Sequence, residues 1–514
     1  MIAAFEPAVV ERFRGVVSRR LGLSIEDARL PQLADVLRRR VEMTGHDCEG
    51  YIVRLAQEPS RDELSSLSQE LTVTETYFFR NIEQFAAFRE LVLPDRMRAR
   101  QEQRRLRILS AGCASGEEAY TLAICAREAV TDPSWDVAVR ALDINPAMLE
   151  KAESARYSTW VLRETPAEAQ RRWFRPEGRE VLLAESIRSA VDFERRNLAE
   201  DDPGFWGSEA YDVVFCRNVL MYFTPEGARG LVARLTRSLA PGGYLFLGHA
   251  ETLRGLSRDF HLRHTHGTFY YQLKDGSERL ATPAPGASWP EARTEARAPA
   301  PFPNVPEIGD SWIETIRRAA DRIRTLTEAR LPAAGATLPP PAGAPRASWD
   351  LAGAFDLLRQ ERFAAALDLV RSFPEESGRD PDVVLLHAIL LAHKGPLAAA
   401  EEMCRRLLEV DELSAGAHYL LALCREGAGE IHAAVEHDRI AVYLDPGFAM
   451  PRLHLGLLAR RAGDVPAARR ELLAARALLQ SEETSRLLLF GGGFPREALV
   501  ALCDAELQSG GRTA

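Results

Sequence analysis

Lysine is nearly missing from this chain. Of its 65 basic residues only Lys151, Lys274 and Lys394 are lysines, and 74 acidic residues leave a net charge of −9. No global positive field is available to hold nucleic acid or an anionic membrane surface, so nucleic acid is not expected as a partner. Cysteine is sparse too. The seven (Cys48, Cys113, Cys125, Cys216, Cys404, Cys424, Cys503) are odd in number and widely spaced, with no CxxC. Neither a disulfide framework nor a metal site is expected from that pattern. Runs of 18 apolar residues are absent, and the start MIAAFEPAVVERFRG lacks the basic-then-apolar order of a secretory signal. The expectation is a cytoplasmic chain with no direct membrane insertion.

What is present divides the chain. At 514 residues, 46% apolar and 27% charged, it should hold several soluble cores. Twelve of the 30 prolines fall between Pro283 and Pro345, mixed with Ala, Gly, Thr and Ser. Such a stretch buries too little apolar surface to offset its ordering entropy, so residues 276–348 read as a linker. Within it, Trp312, Ile316, Ile323 and Leu326 keep helical spacing over 311–331, which predicts one short amphipathic helix. Beyond it, over 349–514, Gly395, Gly429 and Gly463 lie 34 residues apart, as do Ala399, Ala433 and Ala467; Asp411 and Asp445 keep the same interval. Paired apolar helices at this period resemble the tetratricopeptide repeat, with a divergent first copy from Asp350 and a cap from Arg486 onward.

Residues 1–75 read as helices separated by Gly, Asp and Pro signals. Over 76–275 short β-rich runs alternate with helices: LRILSAG, DVAVRALDI, YDVVFCRNVL, YLFLGHAE and a final TFYYQL. That alternation predicts a parallel, doubly wound α/β sheet. The fold expectation is therefore multidomain: an all-α N-terminal domain, an α/β domain, and an α-helical superhelix.

The first strand ends in SAGCASGEEAY, with Gly112 and Gly116 where strand turns into helix. Glycine there lets backbone approach a ligand at the carboxyl edge of the sheet. The loop matches neither G-x-G-x-x-G nor the P-loop pattern, which disfavours a dinucleotide or nucleoside triphosphate. Asp143 ends the second strand in ALDIN, where a carboxylate can accept from both hydroxyls of a ribose. A glycine loop and an acidic strand end without phosphate chemistry point to S-adenosylmethionine.

Three strings make a resemblance specific. TETYFFRN (74–81), YDVVFCRNVLMYF (211–223) and LAPGGYLFLGHAETL (239–253) are similar to the CheR family of chemotaxis receptor methyltransferases, over residues 5–275. The resemblance implies methyl transfer from S-adenosylmethionine, which leaves as S-adenosylhomocysteine, to glutamates of chemoreceptor cytoplasmic helices. It implies a cofactor and active-site segment with Thr74, Thr76, Arg80, Glu118, Asp143, Asn197, Leu198, Arg217, Asn218 and Tyr222, to which the glycine loop adds Gly112 as a cofactor contact; on physical grounds Arg80 would orient the substrate carboxylate and Tyr222 fix the methionine end or the acceptor. Thr74 stands where many members carry Asn, Ala119 where many carry Pro, and Asn145 where a second Asp is common. The domain at 1–75 would recognise the receptor. Its Arg38, Arg39 and Arg40 run is either a solvated helix face or a substrate-binding patch for acidic receptor helices. Phe78 and Phe79 read as core or cofactor wall, Cys113 and Cys216 as packing residues. The repeats would dock a signalling partner or regulate the enzyme, and receptor arrays would recruit the chain to the membrane. The alternative is a scaffold that binds cofactor without turnover and acts through its repeats.

Overall fold

The computed structural model describes residues 5–57, 60–72, 74–275, 351–360, 362–374, 377–378, 380–394, 396–492 and 494–509. The expected linker over 276–348, with its helix, lies outside the described residues. The chain divides into two compact units, Met1–Ala281 and Thr282–Ala514.

The first unit opens with α1 (Pro7–Leu21), α2 (Leu30–Thr44), α3 (Cys48–Gln57) and α4 (Arg61–Leu71). Their apolar stripes meet in a small core that includes Phe13, Val17, Leu37, Tyr51 and Leu55. In α2 the buried stripe is Leu33, Val36, Leu37 and Arg40, the i, i+3, i+4, i+7 set of one helix face. Helical period thus splits the three consecutive arginines, and they form no common patch. Arg40 is buried and forks onto Glu63 at 2.9 and 2.6 Å, while the Tyr51 hydroxyl donates to the same carboxylate at 2.6 Å. Arg39 pairs with Glu70 and Arg38 with Asp35 on the surface. The expectation of a three-arginine substrate patch is corrected for Arg40: its guanidinium is committed to the fold.

Two short helices, α5 (Ile82–Ala87) and α6 (Leu93–Ala99), lead into the sheet. It follows as β1 (Arg105–Ala111), α7 (Glu117–Ala129), β2 (Asp136–Asp143), α8 (Pro146–Ser154), β3 (Arg156–Ser158), α9 (Ala167–Trp173), β4 (Phe174–Glu177), β5 (Glu180–Leu183), α10 (Glu185–Arg188), β6 (Val191–Arg195), β7 (Tyr211–Cys216), α11 (Pro225–Ser238), β8 (Leu239–Leu247), β9 (Phe260–Thr265) and β10 (Thr268–Leu273). Seven strands form the main sheet in the order β6-β2-β1-β7-β8-β10-β9. From β6 to β8 the neighbours are parallel; β10 runs antiparallel to both β8 and β9. The strand order reverses between β1 and β7, which places a crevice at their carboxyl ends. All six residues of β7 are buried, as a central parallel strand covered on both faces requires. Phe215 stacks on Phe246 at 4.3 Å and on Phe85 at 5.6 Å, locking β7, β8 and α5 together. Phe78 and Phe79 join this core.

Two features depart from the expected parallel sheet. The main sheet closes on an antiparallel hairpin, and a separate three-stranded antiparallel sheet, β3-β5-β4, is inserted before β6. Its strands are three or four residues long and carry Arg156, Arg175 and Glu180, too short and too charged to show alternation in sequence.

The second unit is helical: α12 (Leu351–Arg359), α13 (Phe363–Arg371), α14 (Pro381–Lys394), α15 (Leu397–Val410), α16 (Ala415–Gly427), α17 (Ile431–Leu444), α18 (Ala449–Arg461), α19 (Val465–Leu479), α20 (Thr484–Phe490) and α21 (Arg496–Ser509). The helices α14, α16 and α18 begin 34 residues apart, and so do α15, α17 and α19. This is the arrangement of tetratricopeptide-like repeats. Gly429 and Gly463 end their helices with φ of +81° and +78°, a backbone that side chains resist. The fully packed small residues are Ala400, Ala434 and Ala468, one place beyond the alanines of the sequence register, where Ala399, Ala433 and Ala467 are only partly covered. No described helix is long and apolar enough to cross a membrane.

Candidate active site

The crevice between β1 and β7 opens into two chambers that share Gly112, Ala114, Asn218 and Tyr222. One chamber is apolar on its outer side, which Leu21 of α1, Leu33 of α2, and Leu23 and Ile25 of the connection between them line. Backbone bonds fix those helices there. Ser24 N–H donates to the Tyr222 carbonyl at 2.6 Å, and Thr224 N–H donates to the Gly22 carbonyl at 3.1 Å. The Asn197 amide donates to the Arg20 carbonyl at 2.9 Å while its oxygen accepts from Ala199 N–H at 3.0 Å. Asn197 therefore joins α1 to the loop after β6, and Leu198 beside it gives the chamber an apolar wall.

At the floor of this chamber the Asp143 carboxylate accepts one backbone N–H on each oxygen, from Asn145 and Ala114, both at 2.8 Å. Burial pushes this carboxyl up, with those amides working against it. Each oxygen keeps acceptor capacity for one more donor, so a pair of vicinal hydroxyls would complete it. Gly112 supplies the second element of fit. Its φ is +83°, and a Cβ there would meet Val219 Cγ2 at 2.5 Å, so the loop can carry only a glycine at this approach. Asn145 caps α8 by accepting from Ala147 and Met148 N–H, and its amide donates to Thr72 Oγ1 at 3.1 Å. The residues fit an adenosine-bearing cofactor: acceptors for a ribose, an apolar wall, and a side-chain-free approach.

The second chamber is polar and includes Thr76, Arg80, Glu118, Arg217, Asn218 and Tyr222 in its lining. The Arg217 guanidinium is buried, 3.4 Å from Glu118 Oε2, and donates to the Arg80 carbonyl and to Asn81 Oδ1. Burial pushes the Glu118 carboxyl up, against the pull of Arg217 and of Ser110, whose hydroxyl donates to it at 2.8 Å. This pair ties α7 and the β7 end to the turn at Phe79–Asn81, where Phe79 and Asn81 have positive φ. Arg80 itself donates to the Glu75 carbonyl at 3.1 Å, and among the described residues it has no carboxylate partner. The sequence-expected residues thus gather around one cleft: Thr74, Asp143, Asn197 and Leu198 in the first chamber, Thr76, Arg80, Glu118 and Arg217 in the second, Gly112, Asn218 and Tyr222 in both. Arg38, Arg39 and Arg40 are outside both linings.

One organising residue is not singled out within its motif, LAPGGYLFLGHAETL. Glu251, buried after β8, accepts backbone N–H groups from Asn218, Val219, Met221 and Gly248. It holds Asn218 at φ +58° in the loop that both chambers share. Gly248 is required for this approach, since a Cβ would sit 2.8 Å from both Asn218 Nδ2 and Glu251 Oε2. The sequence signal of Glu251 is that string itself, in which an acid stands three residues after the glycine that follows an apolar strand.

Comparison with known proteins agrees with this geometry. The CheR methyltransferase SAM-binding domain matches residues 74–269. The chain is 34% identical over 275 residues to chemotaxis protein methyltransferase 2 of Vibrio cholerae, which spans 52% of this chain and 93% of that protein. Identity to chemotaxis protein methyltransferase 1 of Pseudomonas aeruginosa is 30% over 270 residues, 51% of this chain and 97% of that one. The probable biofilm formation methyltransferase WspC of Pseudomonas putida is 29% identical over 476 residues, 92% of this chain and 99% of its own length.

Proposed function

This chain belongs to the CheR methyltransferase family, and on that footing we propose that its acceptors are glutamate carboxylates of bacterial chemoreceptors, which become methyl esters. It is an S-adenosylmethionine-dependent methyltransferase. When bound, that cofactor supplies the methyl group. The chain's own task is to desolvate and orient the acceptor. A glutamate carboxyl has a reference pKa near 4.3 and is ionised at neutral pH, so no general base is needed. One observation carries the reading: beside the Arg217–Glu118 pair, Arg80 lines the polar chamber and has no carboxylate partner among the described residues. An entering carboxylate would complete it by a bidentate pair. The Tyr222 hydroxyl, where the chambers join, would fix the acceptor or the adjoining end of the cofactor.

We infer that the N-terminal helices recognise the receptor, because they wall the same cleft and offer Arg38 and Arg39 on their surface. The repeats are read as a docking module for a signalling partner, and their proline-rich tether would raise the local concentration of a docked acceptor. The deciding experiment is incubation with labelled S-adenosylmethionine and receptor cytoplasmic fragments, followed by mild base. Label released as methanol supports glutamate esters; label that survives base removes the assignment, because methyl amines do not hydrolyse. Cofactor binding with no label on any fragment would instead support the scaffold.

A further inference from the structure

The 34-residue register predicts that a fifth repeat should begin near residue 483, and α20 does begin at Thr484. It does not extend the stack. α20 has seven residues where α16 and α18 have thirteen, and it folds back across the first helices of the earlier repeats. Phe490 packs against Tyr419 of α16 and Phe448 before α18, with ring centroids 6.0 and 5.0 Å away. Gly416 makes room for that ring, since a Cβ there would lie 2.8 Å from Phe490 Cζ. One turn earlier Arg486 reaches Asp445 at 3.0 Å and lies over the Phe448 ring at 5.3 Å. Leu488 and Leu489 pack against the core of the first two helix pairs.

The end of the stack is covered by another element. α21 packs there, with Arg476 on α19 paired to Asp504 at 3.1 Å and Arg460 on α18 paired to Glu506 at 2.9 Å. The cap expected from Arg486 onward is thus α21, and α20 fills the groove. Two more features mark α20 as a separable occupant. Gly491 and Gly492 end it, Gly492 with a φ of +66° that lets the chain turn sharply out of the helix. Beside it the groove continues as a partly filled apolar hollow along Ala392, His393, Leu420 and Leu423.

We propose that this groove is the docking site for a partner-protein segment with the chemistry of α20, an arginine followed by leucines and closed by a phenylalanine, and that the chain holds its own copy there as a competitor. The aromatic walls and Asp445 define the recognition: a ring over Gly416 and a cation one turn before it. A tethered competitor sets the threshold for the partner. If the groove is free in one molecule in a hundred, the partner's apparent affinity falls about 100-fold.

The test uses the full chain and a fluorescent peptide of residues 483–492. The Phe490→Ala chain should bind this peptide at least tenfold more tightly than the unaltered chain, and a peptide with alanine in place of the phenylalanine should not bind. Equal affinities, or no binding to Phe490→Ala, overturn the proposal. Hydrogen exchange on the unaltered chain gives a reading that does not depend on the variant's folding. Amides of α20 should exchange together and faster than those of α16 and α18; equal protection would make α20 a fixed part of the repeats and sink the idea. A concentration-dependent dimer lost in Phe490→Ala would assign the groove to a second copy and overturn it equally.

Discussion

Glu251 Oε2 accepts the backbone N–H of Asn218 at 2.7 Å, and Oε1 accepts that of Val219 at 2.8 Å. A single buried carboxylate therefore sets the loop that carries the junction of both chambers. Four backbone donors converge on it, and an amide in its place would turn an NH2 toward some of them. The cost of leaving a buried donor unpaired is about 1–3 kcal/mol. Glu251→Gln is expected to weaken cofactor affinity tenfold or more and to lower the melting temperature of the first unit. Calorimetric titration with S-adenosylhomocysteine checks this; unchanged affinity would mean that Asn218 is held by other contacts.

Arg80 presents the opposite case, a charged group without a charge partner among the described residues. If it orients the acceptor, Arg80→Ala should reduce turnover by about 100-fold, the scale of a lost positioning contact, and change cofactor affinity little. Initial rates with a receptor fragment, set beside cofactor titration, separate the two. Equal losses in both would place Arg80 at the cofactor instead.

The arginine run separates stability from recognition. Removing Arg40 strands the Glu63 carboxylate in a mostly buried site, and breaking such pairs costs about 3 kcal/mol. Burial works to raise Glu63, but its bonds to Arg40 and Tyr51 outweigh this and hold the carboxyl below its ordinary value. Arg40→Met should therefore unfold the first unit more easily near neutral pH. That deficit should shrink as the solution is acidified through the carboxylate range, where the unaltered protein loses the same contribution. Joint reversal of Arg38 and Arg39 to Glu should instead raise the KM for receptor and leave the melting temperature within a degree or two. A normal KM in that double variant would remove these arginines from recognition.

Strings that end strands were legible because the fold itself brings carboxyl ends of parallel strands together: Gly112, Asp143 and Arg217 converge although they are far apart in sequence. Arg40 fits neither a solvated helix face nor a substrate patch: the period already visible at Leu33, Val36 and Leu37 assigns it to the buried face. Glu251 lies within LAPGGYLFLGHAETL, but its role left little trace because three of the four backbone groups it serves are about thirty residues away, and backbone donors carry no side-chain signature. α20 shows a different limit. Its register announces another repeat, and only the space over Gly416 and the packing of α21 determine that it turns inward.

Within the repeats, His454 places Nδ1 2.7 Å from Asp438 and Nε2 3.2 Å from Glu426, with all three residues buried. Burial alone would lower this imidazole; the two carboxylates outweigh it and hold the group up at about 9. A folded-state value above the unfolded one near 6.5 gives stability that is fully present below pH 6.5 and lost as pH rises through about 9. Burial also raises Asp438, against the pull of His454. Between pH 7 and pH 10 the second unit should lose on the order of 3 kcal/mol more than the same unit in a His454→Gln chain. Calorimetric melts of both full-length proteins across that range provide the comparison, because other alkaline groups titrate equally in each. Parallel slopes would mean that the imidazole is neutral in the folded repeats and that one of its two carboxylates carries the proton.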